Sequence, residues 1–254
     1  MVDGLRPTTL DDVIGQTEVV NEIRIALAGA KARGEVPGHI LLGGPAGTGK
    51  TTLALCIANA VGGQLLSLIG PQVRTPSSDL YPILFGRAAG DVIFIDEIHR
   101  MWRPAQECLF TVMEDSKLIL DNGRTLDMRP LLFIGATTDP DRLLTPMLDR
   151  FALILKLRLY RPDELALIAK RAATKLGCVL SDAGAALIVD AAAGVPRVAI
   201  RLVRASRDHA YAVLPVSQLL ADSRRETVTI GPAAVQRVLS SPAYIWRSEG
   251  RDAG

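Results

Sequence analysis

A glycine-rich segment early in the chain constrains the fold more than any other feature. It matches the phosphate-binding pattern G-x-x-x-x-G-K-[ST] at every specified position and reads Gly44-Pro45-Ala46-Gly47-Thr48-Gly49-Lys50-Thr51. An apolar run, 39–42, precedes it and a helical stretch, 52–61, follows, which is the strand–loop–helix context that the motif requires. Backbone N–H groups and the positive helix end then point at phosphate oxygens. The segment predicts a nucleoside triphosphate site in which Lys50 contacts the β- and γ-phosphates and Thr51 binds Mg²⁺.

The first 159 residues alternate short apolar runs with helical patterns, as in a parallel α/β sheet. The apolarity of these runs is continuous rather than alternating, so both faces of the sheet are expected to be covered. The predicted strands are residues 39–42, 65–69, 91–95, 131–135 and 152–157. The sequence therefore predicts an α/β domain over residues 1–159, built on a parallel five-stranded sheet flanked by helices.

Helical signals replace strand signals in the second part of the chain. Pro162 begins one predicted helix, Ser181 caps a second, and Pro196 begins a third. We expect a loop with one short strand over 215–230 and a last helix over 232–239. The sequence thus predicts a small all-α domain over 160–241 and a flexible tail over 242–254.

Composition excludes several classes of protein. No apolar run reaches the roughly 18 to 20 residues of a membrane span, and the N-terminus lacks an export signal, so we expect a soluble, cytoplasmic protein without membrane contact. The three cysteines and three histidines are scattered, which predicts reduced thiols and no zinc site. The net charge is +2, with 13 basic and 9 acidic residues from position 160 onward. This mild basic bias is compatible with DNA binding.

Two acids end the predicted strand over 91–95. Asp96 and Glu97 follow four apolar residues and would lie at the carboxyl edge of the sheet. There Asp96 can hold the Mg²⁺ bound by Thr51, through water, and Glu97 can polarise a water molecule against the γ-phosphate. The pair predicts hydrolysis of the nucleoside triphosphate rather than binding alone.

Hydroxyl side chains end the predicted strand over 131–135. Either Thr137 or Thr138 can hydrogen-bond the γ-phosphate or the attacking water and so report the nucleotide state. Ordinary strand-end capping is the alternative. We favour Thr138 as the sensing residue.

Taken together, these features resemble the AAA+ ATPases, and among them the RuvB family of Holliday-junction branch-migration motors. The resemblance spans roughly residues 5–212. Its motifs are Leu5-Arg6-Pro7, Ile14-Gly15-Gln16, the phosphate loop, Asp96-Glu97-Ile98-His99-Arg100, Met113-Glu114-Asp115, Ile134-Gly135-Ala136-Thr137-Thr138, Leu148-Asp149-Arg150-Phe151 and Gly194-Val195-Pro196-Arg197. It implies a P-loop AAA+ sheet domain followed by a helical lid, with ATP and Mg²⁺ as ligands.

The resemblance also implies roles for single residues. Arg150 corresponds to an arginine finger that acts on the γ-phosphate of a neighbouring subunit, which requires at least a dimer or a ring, and a hexameric ring is expected. Arg197, next to Pro196 in the first turn of a helix, corresponds to the second sensor. The remaining nucleotide-binding positions that it implies are Leu5, Arg6, Ile14, Gly44, Ala46, Gly47, Thr48, Gly49, Lys50, Thr51, Thr52 and Tyr160.

Two departures from the family limit the transfer of function. About forty residues follow the third lid helix, too few for the winged-helix DNA-binding domain expected there. The segment 116–129 is predicted as a β-hairpin, with Asn122-Gly123 at its turn, that is several residues shorter than the family's partner-docking hairpin. Its apolar residues either dock on a replication or recombination protein or pack on their own domain; they are Leu118, Leu120, Leu126 and Met128.

The sequence therefore predicts an ATP-hydrolysing, ring-forming protein that acts on DNA in recombination or replication as a reduced RuvB-like helicase or branch-migration motor. DNA contact is either direct or through a partner, and the arginines at 201, 204 and 207 either grip DNA or form a solvated helix face. The alternative is an ATP-dependent loader, adaptor or inhibitor of a helicase or sliding clamp. A nucleotide-dependent assembly protein without DNA contact forms a third class.

Overall fold

A computed structural model describes residues 3–120, 122–213 and 227–242. These residues form two compact units. The sheet unit comprises residues 7–158, and the helical unit comprises residues 3–6 together with the described residues from 159 onward. The first few residues thus group with the helical unit. The domain limits drawn from the sequence stay a prediction, and nearly all of the predicted tail lies outside the described residues.

The sheet unit is built on five parallel strands in the order β2-β3-β6-β1-β7. This confirms the predicted fold class, with strand ends shifted by one or two residues. The strands of this unit are β1 (Ile40–Gly43), β2 (Leu65–Ile69), β3 (Val92–Asp96), β4 (Lys117–Ile119), β5 (Thr125–Asp127), β6 (Leu132–Thr137) and β7 (Leu153–Lys156). Since β6 lies between β3 and β1, the carboxyl ends of the acidic strand, the threonine strand and the strand before the phosphate loop lie next to one another.

Helices cover both faces of this sheet. They are α1 (Thr17–Arg33), α2 (Lys50–Val61), α3 (Tyr81–Leu84), α4 (Arg103–Asp115) and α5 (Thr145–Leu148). Helix α1 was not predicted from the sequence; it is followed by Gly34, whose left-handed backbone caps it. The start of α2 was predicted at residue 52, whereas the helix begins at Lys50, inside the loop motif.

Successive residues of the strands enter two separate hydrophobic cores. Ile93 packs with α3 and α4 on one face, while Phe94 packs with α1 and α2 on the other. Both side chains are fully buried. Burial of such a side chain contributes about 1.5–3 kcal/mol. Continuous apolarity of the strand sequences is therefore explained by a sheet that is covered on both faces.

The predicted hairpin forms and packs on its own unit. Strands β4 and β5 pair antiparallel, and the Asn122 side chain accepts the N–H of Arg124 at 3.0 Å across the turn. Leu118 is completely buried, and Leu120 and Met128 pack against the same core as α4. These contacts favour the packing alternative over a docking face made of the four apolar residues. Ile119 lies on the opposite side of the hairpin and is exposed.

The helical unit has its own hydrophobic core. Its elements are α6 (Pro162–Lys175), β8 (Cys178–Leu180), α7 (Asp182–Ala192), α8 (Pro196–Ala212), β9 (Val228–Ile230) and α9 (Pro232–Leu239). The Ser181 hydroxyl caps α7 by accepting the N–H of Gly184 at 3.1 Å, as predicted. The short strand predicted within 215–230 is β9, whereas β8 was not predicted, because a three-residue strand is recognised only by its pairing with β9 some fifty residues later. Most of the predicted loop over 215–230 lies outside the described residues.

Among the residues that the structure describes, no helix has the length and apolarity that crossing a membrane requires.

Candidate nucleotide-binding site

The phosphate loop joins β1 to α2 through left-handed backbone that glycine adopts without strain. Gly44 has φ 137°, Gly47 has φ 80° and Gly49 has φ 109°. A side chain on Gly44 would also place its Cβ 2.5 Å from the backbone oxygen of Leu157. Only glycine fits at this position. The N-terminus of α2 therefore stands directly behind the loop, with the geometry of an anion-binding site.

Lys50 is buried within the loop, with 6% of its surface exposed. Its Nζ donates to the backbone oxygens of Gly44 at 2.6 Å and Pro45 at 3.0 Å. The hydroxyl of Thr48 donates to the same Pro45 oxygen at 2.8 Å. The loop thus curves around a fixed cationic centre. Phosphate oxygens are stronger acceptors for this ammonium group than the carbonyls that now hold it.

The Glu97 carboxylate is held at the carboxyl edge of the sheet. Its Oε2 accepts a hydrogen bond from the Thr138 hydroxyl at 2.9 Å and lies 3.3 Å from Nδ1 of the buried His99. The backbone of Glu97 is left-handed, with φ 50°, and its N–H donates to Asp96 Oδ1 at 3.1 Å. A non-glycine residue in this conformation is strained, and such strain is found most often at functional sites.

The two candidate threonines have different surroundings. Thr137 is completely buried; its hydroxyl lies 2.8 Å from His99 Nδ1 and accepts the N–H of Asp139 at 2.9 Å. Thr138 is exposed and bonds Glu97. Because the Thr137 hydroxyl is occupied inside the protein, the geometry supports Thr138 as the sensing residue.

The loop after β2 packs directly on the backbone of Glu97. A Cβ on Gly70 would lie 2.2 Å from the Glu97 backbone oxygen and 3.1 Å from that of Asp96. A side chain at Gly70 would therefore displace the acidic pair.

Arg150 follows α5 and forms an ion pair with Glu114 in the last turn of α4. The arginine side chain is 29% exposed and the carboxylate 52% exposed. Packing of α4 against α5 brings these residues together although 36 positions separate them in the chain. The guanidinium is thus held by one acidic group while part of it faces solvent.

Several predicted nucleotide contacts lie in the helical unit. Tyr160 is half-buried, and its N–H donates to the backbone oxygen of Gly194 at 2.9 Å. Pro196 is buried and Arg197 is exposed in the first turn of α8. Leu5 and Arg6 belong to this unit as well: Leu5 ends a 3₁₀ turn (Asp3–Leu5) that contacts α6, and Arg6 follows it.

The other predicted contacts lie in the sheet unit, where Ile14, Thr51 and Thr52 are half-buried and Ala46 is exposed. Thr51 in the first turn of α2 and Asp96 at the end of β3 both lie at the carboxyl edge of the sheet. Within the described residues, no group of three or more His, Cys, Asp or Glu side chains is placed to bind a metal ion. The hydroxyl and single carboxylate suit Mg²⁺, which takes its other ligands from water and phosphates.

The three arginines proposed as DNA grips on α8 are half-buried rather than fully solvated. Arg207 pairs with its neighbour Asp208. The structure therefore gives no free basic stripe at positions 201, 204 and 207.

Sequence reasoning missed three residues that shape the site: Glu114, His99 and Gly70. A signal for Glu114 exists, since a carboxylate in the last helical turn opposes the helix dipole and needs a compensating cation. For His99, the only signal in the sequence is its position two residues after Glu97. Gly70 carries no local signal, because its contact with Glu97 joins two strands.

A phosphate loop between the first strand and helix of a five-stranded parallel sheet, with an acidic pair and a polar residue on adjacent strand ends, defines a P-loop ATPase of the AAA+ class. Residues 5–157 match the family described as the Holliday junction DNA helicase RuvB P-loop domain, and residues 160–222 match the RuvB AAA lid domain. The chain belongs to the RuvB family.

Relatives and solved structures agree with this assignment. A Holliday junction branch migration complex subunit RuvB from a Nocardioides species is 43% identical over 84% of this chain and 63% of its own length. The corresponding subunit of Thermobifida fusca is 42% identical over 81% of this chain and 60% of its own. The structure of the Thermotoga maritima RuvB Holliday junction branch migration motor superposes with a TM-score of 0.81 at 37% identity, covering 93% of this chain and 72% of that one. The chain thus spans about 60% of the length of these curated relatives.

Proposed function

We propose that this chain is the ATP-hydrolysing subunit of a ring-shaped motor that moves branched DNA. The observation that carries the proposal is the contact between Glu97 and Thr138 at the sheet edge where the phosphate loop begins. A carboxylate held by a neighbouring strand's hydroxyl is positioned to act on a water molecule near a bound γ-phosphate.

The phosphate loop supplies the binding half of this function. Lys50 would contact the β- and γ-phosphates in place of the loop carbonyls, and the N–H groups from Gly47 to Thr52 would surround the phosphate oxygens. Thr51 and, through water, Asp96 would hold Mg²⁺. A bound Mg²⁺ neutralises charge that develops on the phosphate oxygens.

The acidic pair supplies the catalytic half. Glu97 accepts the proton of the attacking water, and Thr138 keeps its carboxylate in place until nucleotide binds. Arg150, held by Glu114, would reach the γ-phosphate bound by a neighbouring subunit. A planar guanidinium suits this contact because it donates two parallel hydrogen bonds.

The helical unit would report the nucleotide state. Arg197 stands exposed in the first turn of α8, and Tyr160 begins the unit. The other nucleotide contacts proposed in this unit are Leu5, Arg6 and Pro196. ATP turnover would then be reported by the helical unit of each subunit in the ring.

The DNA substrate is proposed from the names of the relatives. They are subunits of Holliday junction branch migration complexes, and we extend that substrate and a hexameric ring to this chain. Because Leu118, Leu120 and Met128 pack on their own unit, a recombination or replication partner would have to use the outer side of β4 and β5.

The decisive experiment measures steady-state ATP hydrolysis at several protein concentrations, without DNA and with single-stranded, duplex and four-way-junction DNA. Lys50→Ala serves as the variant without nucleotide binding, and Lys31→Ala, on the exposed part of α1, as its matched control. Turnover that rises with concentration and with junction DNA, followed by junction movement, supports the motor. Turnover indifferent to DNA overturns it in favour of an ATP-dependent loader or adaptor.

A further inference from the structure

An exposed tryptophan stands beside the catalytic segment. Trp102, directly before α4, keeps 57% of its surface exposed. The guanidinium carbon of Arg74 lies 5.7 Å from the centroid of the Trp102 ring. This is a cation–π arrangement, contributing about 0.5–1 kcal/mol at an exposed site. The exposed part of the ring is an apolar surface on which a second flat group can stack.

The Arg74–Trp102 pair is held by backbone contacts rather than by chance side-chain positions. The Asp79 carboxylate accepts the N–H groups of Arg74 at 2.7 Å and Thr75 at 2.8 Å. These bonds lower the pKa of Asp79, which keeps the carboxylate ionised. The buried Val73 accepts the N–H of Trp102 through its backbone oxygen at 3.2 Å. The two loops therefore present arginine and tryptophan together.

The charge around this pair is basic. Arg100 and Arg103 flank Trp102 in the chain, and both are exposed. Arg103 forms an ion pair with Glu107 on the next turn of α4, with 3.0 Å between Nε and Oε1. Arginines interleaved with an open aromatic ring suit a nucleic-acid strand, whose bases stack on the ring while its phosphates pair with guanidinium groups.

Two contacts with the Glu97 backbone oxygen connect Glu97 to the segments that carry Trp102 and Arg74. One is in the segment before Trp102, where the N–H of Arg100 donates to the Glu97 backbone oxygen at 2.9 Å. The other is in the loop that carries Arg74, because its Gly70 packs directly against the same oxygen. A change in the position of Glu97 on nucleotide binding would therefore move both Arg74 and Trp102.

We propose that the surface formed by Arg74, Arg100, Trp102 and Arg103 binds single-stranded DNA, with an unpaired base stacked on the open face of Trp102. This contact deepens the proposed motor function, on which its coupling to ATP turnover rests. Strand exchange at a branch point passes through unpaired bases, and this surface would hold them next to the ATPase site.

Binding is tested with Trp102 as its own reporter. The chain has two tryptophans, so Trp246→Phe leaves Trp102 alone. Titration of this protein with a thymidine homopolymer should quench the fluorescence of Trp102. Trp102→Ala should weaken binding, measured by anisotropy of a labelled oligonucleotide, by about 5- to 100-fold, whereas Trp102→Phe should retain most of it. Arg74→Ala should also reduce the slope of log affinity against log salt concentration by about 0.7.

Matched controls come from the same unit. Phe85→Ala removes another exposed aromatic side chain, and Arg33→Ala removes an exposed arginine paired with Glu35. Both should leave oligonucleotide binding unchanged. Unchanged binding by Trp102→Ala, or an equal loss in Phe85→Ala, would overturn the proposal and would leave the exposed surface for a protein partner.

ATPase assays separate this proposal from the motor function. Trp102→Ala should keep the basal rate without DNA and lose the stimulation by single strands. If wild-type protein binds the oligonucleotide through Trp102 but hydrolyses no ATP, the motor function fails while the binding site stands. If turnover is stimulated by junction DNA and Trp102→Ala changes neither stimulation nor affinity, the binding site fails alone.

Discussion

Glu114, in the last turn of α4, holds the guanidinium of Arg150 in an ion pair. The arginine belongs to the motif that resembles an arginine finger, and in the proposed motor the carboxylate would set the direction in which that side chain reaches. An acid at the C-terminal end of a helix is unfavourable for the helix alone. The ion pair offsets that cost and holds the Arg150 side chain in place within the single chain.

The first prediction concerns this pair. Arg150→Ala and Glu97→Gln proteins should each be inactive and should recover turnover when mixed, since each supplies what the other lacks. Adding Glu114→Gln to the protein that supplies the finger should reduce that recovery about 10-fold, because the finger is no longer oriented. Adding it to the Arg150→Ala protein should have no effect.

Asp115→Asn, the neighbouring exposed acid, is the control for both mixtures. The role of Glu114 would be disproved if Glu114→Gln lowered the recovered turnover equally in the Glu97→Gln protein and in the Arg150→Ala protein. Mixed oligomers must be verified in each case, and their formation without any recovery would count against finger action between subunits.

The second prediction concerns the proposed general base. Glu97→Gln should bind ATP with unaltered affinity and lose about 10²-fold or more in turnover, the range expected when a general base is removed. Nucleotide affinity is measured by calorimetry and turnover by phosphate release. Glu22→Gln, an exposed substitution on α1, is the matched control. Unaltered turnover in the Glu97→Gln protein would show that Glu97 is not the general base.

The third prediction separates the adjacent threonines. Thr138→Val removes the hydroxyl that bonds Glu97 and should lower turnover while the protein unfolds at the same urea concentration. Thr137→Val leaves the N–H of Asp139 without its acceptor in a buried site and should lower the free energy of unfolding by about 1–3 kcal/mol. The reverse pattern, with turnover lost only in a fully stable Thr137 variant, would exchange the two roles.

The fourth prediction concerns pH. His39 Nδ1 accepts the N–H of Phe133 at 3.2 Å, and Nε2 lies 3.0 Å from the Met113 backbone oxygen, an arrangement that needs a neutral ring. Burial lowers the pKa of His39 below its ordinary value of 6.5, and the bond to Met113 offsets part of that effect. The unfolded chain therefore binds more protons than the folded one below about pH 6.5, so stability falls as the pH decreases.

His39→Gln should flatten this dependence by removing one titrating group. Urea unfolding at several pH values between about 5 and 7.5 checks the slope, to which a single group contributes at most about 1.4 kcal/mol per pH unit. His209→Gln, on the surface of α8, is the comparison. A wild-type slope that survives unaltered in the His39 variant would contradict the prediction.

The fifth prediction concerns cysteine reactivity. Burial, with a smaller contribution from Asp12, raises the pKa of the Cys56 thiol to about 11. Its Sγ also donates to the backbone oxygen of Thr9 at 3.3 Å. Only about one molecule in a thousand then carries the thiolate at pH 8. Alkylation followed by mass spectrometry should modify the half-buried Cys108 first and Cys56 only after unfolding; equal rates in folded protein would refute this.

Much of the fold follows from local patterns. Continuous apolar runs predicted the five strands because the central strands β1, β3 and β6 are covered on both faces. The glycine spacing predicted the loop because only glycine adopts the left-handed backbone at Gly44. The lid helices followed from Pro162, Ser181 and Pro196, whose preference for helix starts is a property of single residues.

The rest depends on contacts between distant parts of the chain. A short strand was predicted within 215–230, where β9 lies, but its partner β8 was missed because three residues have no pattern of their own. The hairpin's inner face was ambiguous until Leu118 was found in the core. The apolar runs also predicted that Glu97 and Thr138 follow the ends of two strands. Their hydrogen bond depends on the order of those strands in the sheet.

The sequence by itself thus determined most of the helices and strands, the phosphate loop and the residues proposed for catalysis, because backbone preference and apolar periodicity act over a few neighbouring residues. The tertiary structure alone decided that Glu114 holds Arg150, that Gly70 supports Glu97, and that Arg74 lies over Trp102. Each of these contacts joins segments brought together only by packing, and no local preference encodes which distant side chain will arrive.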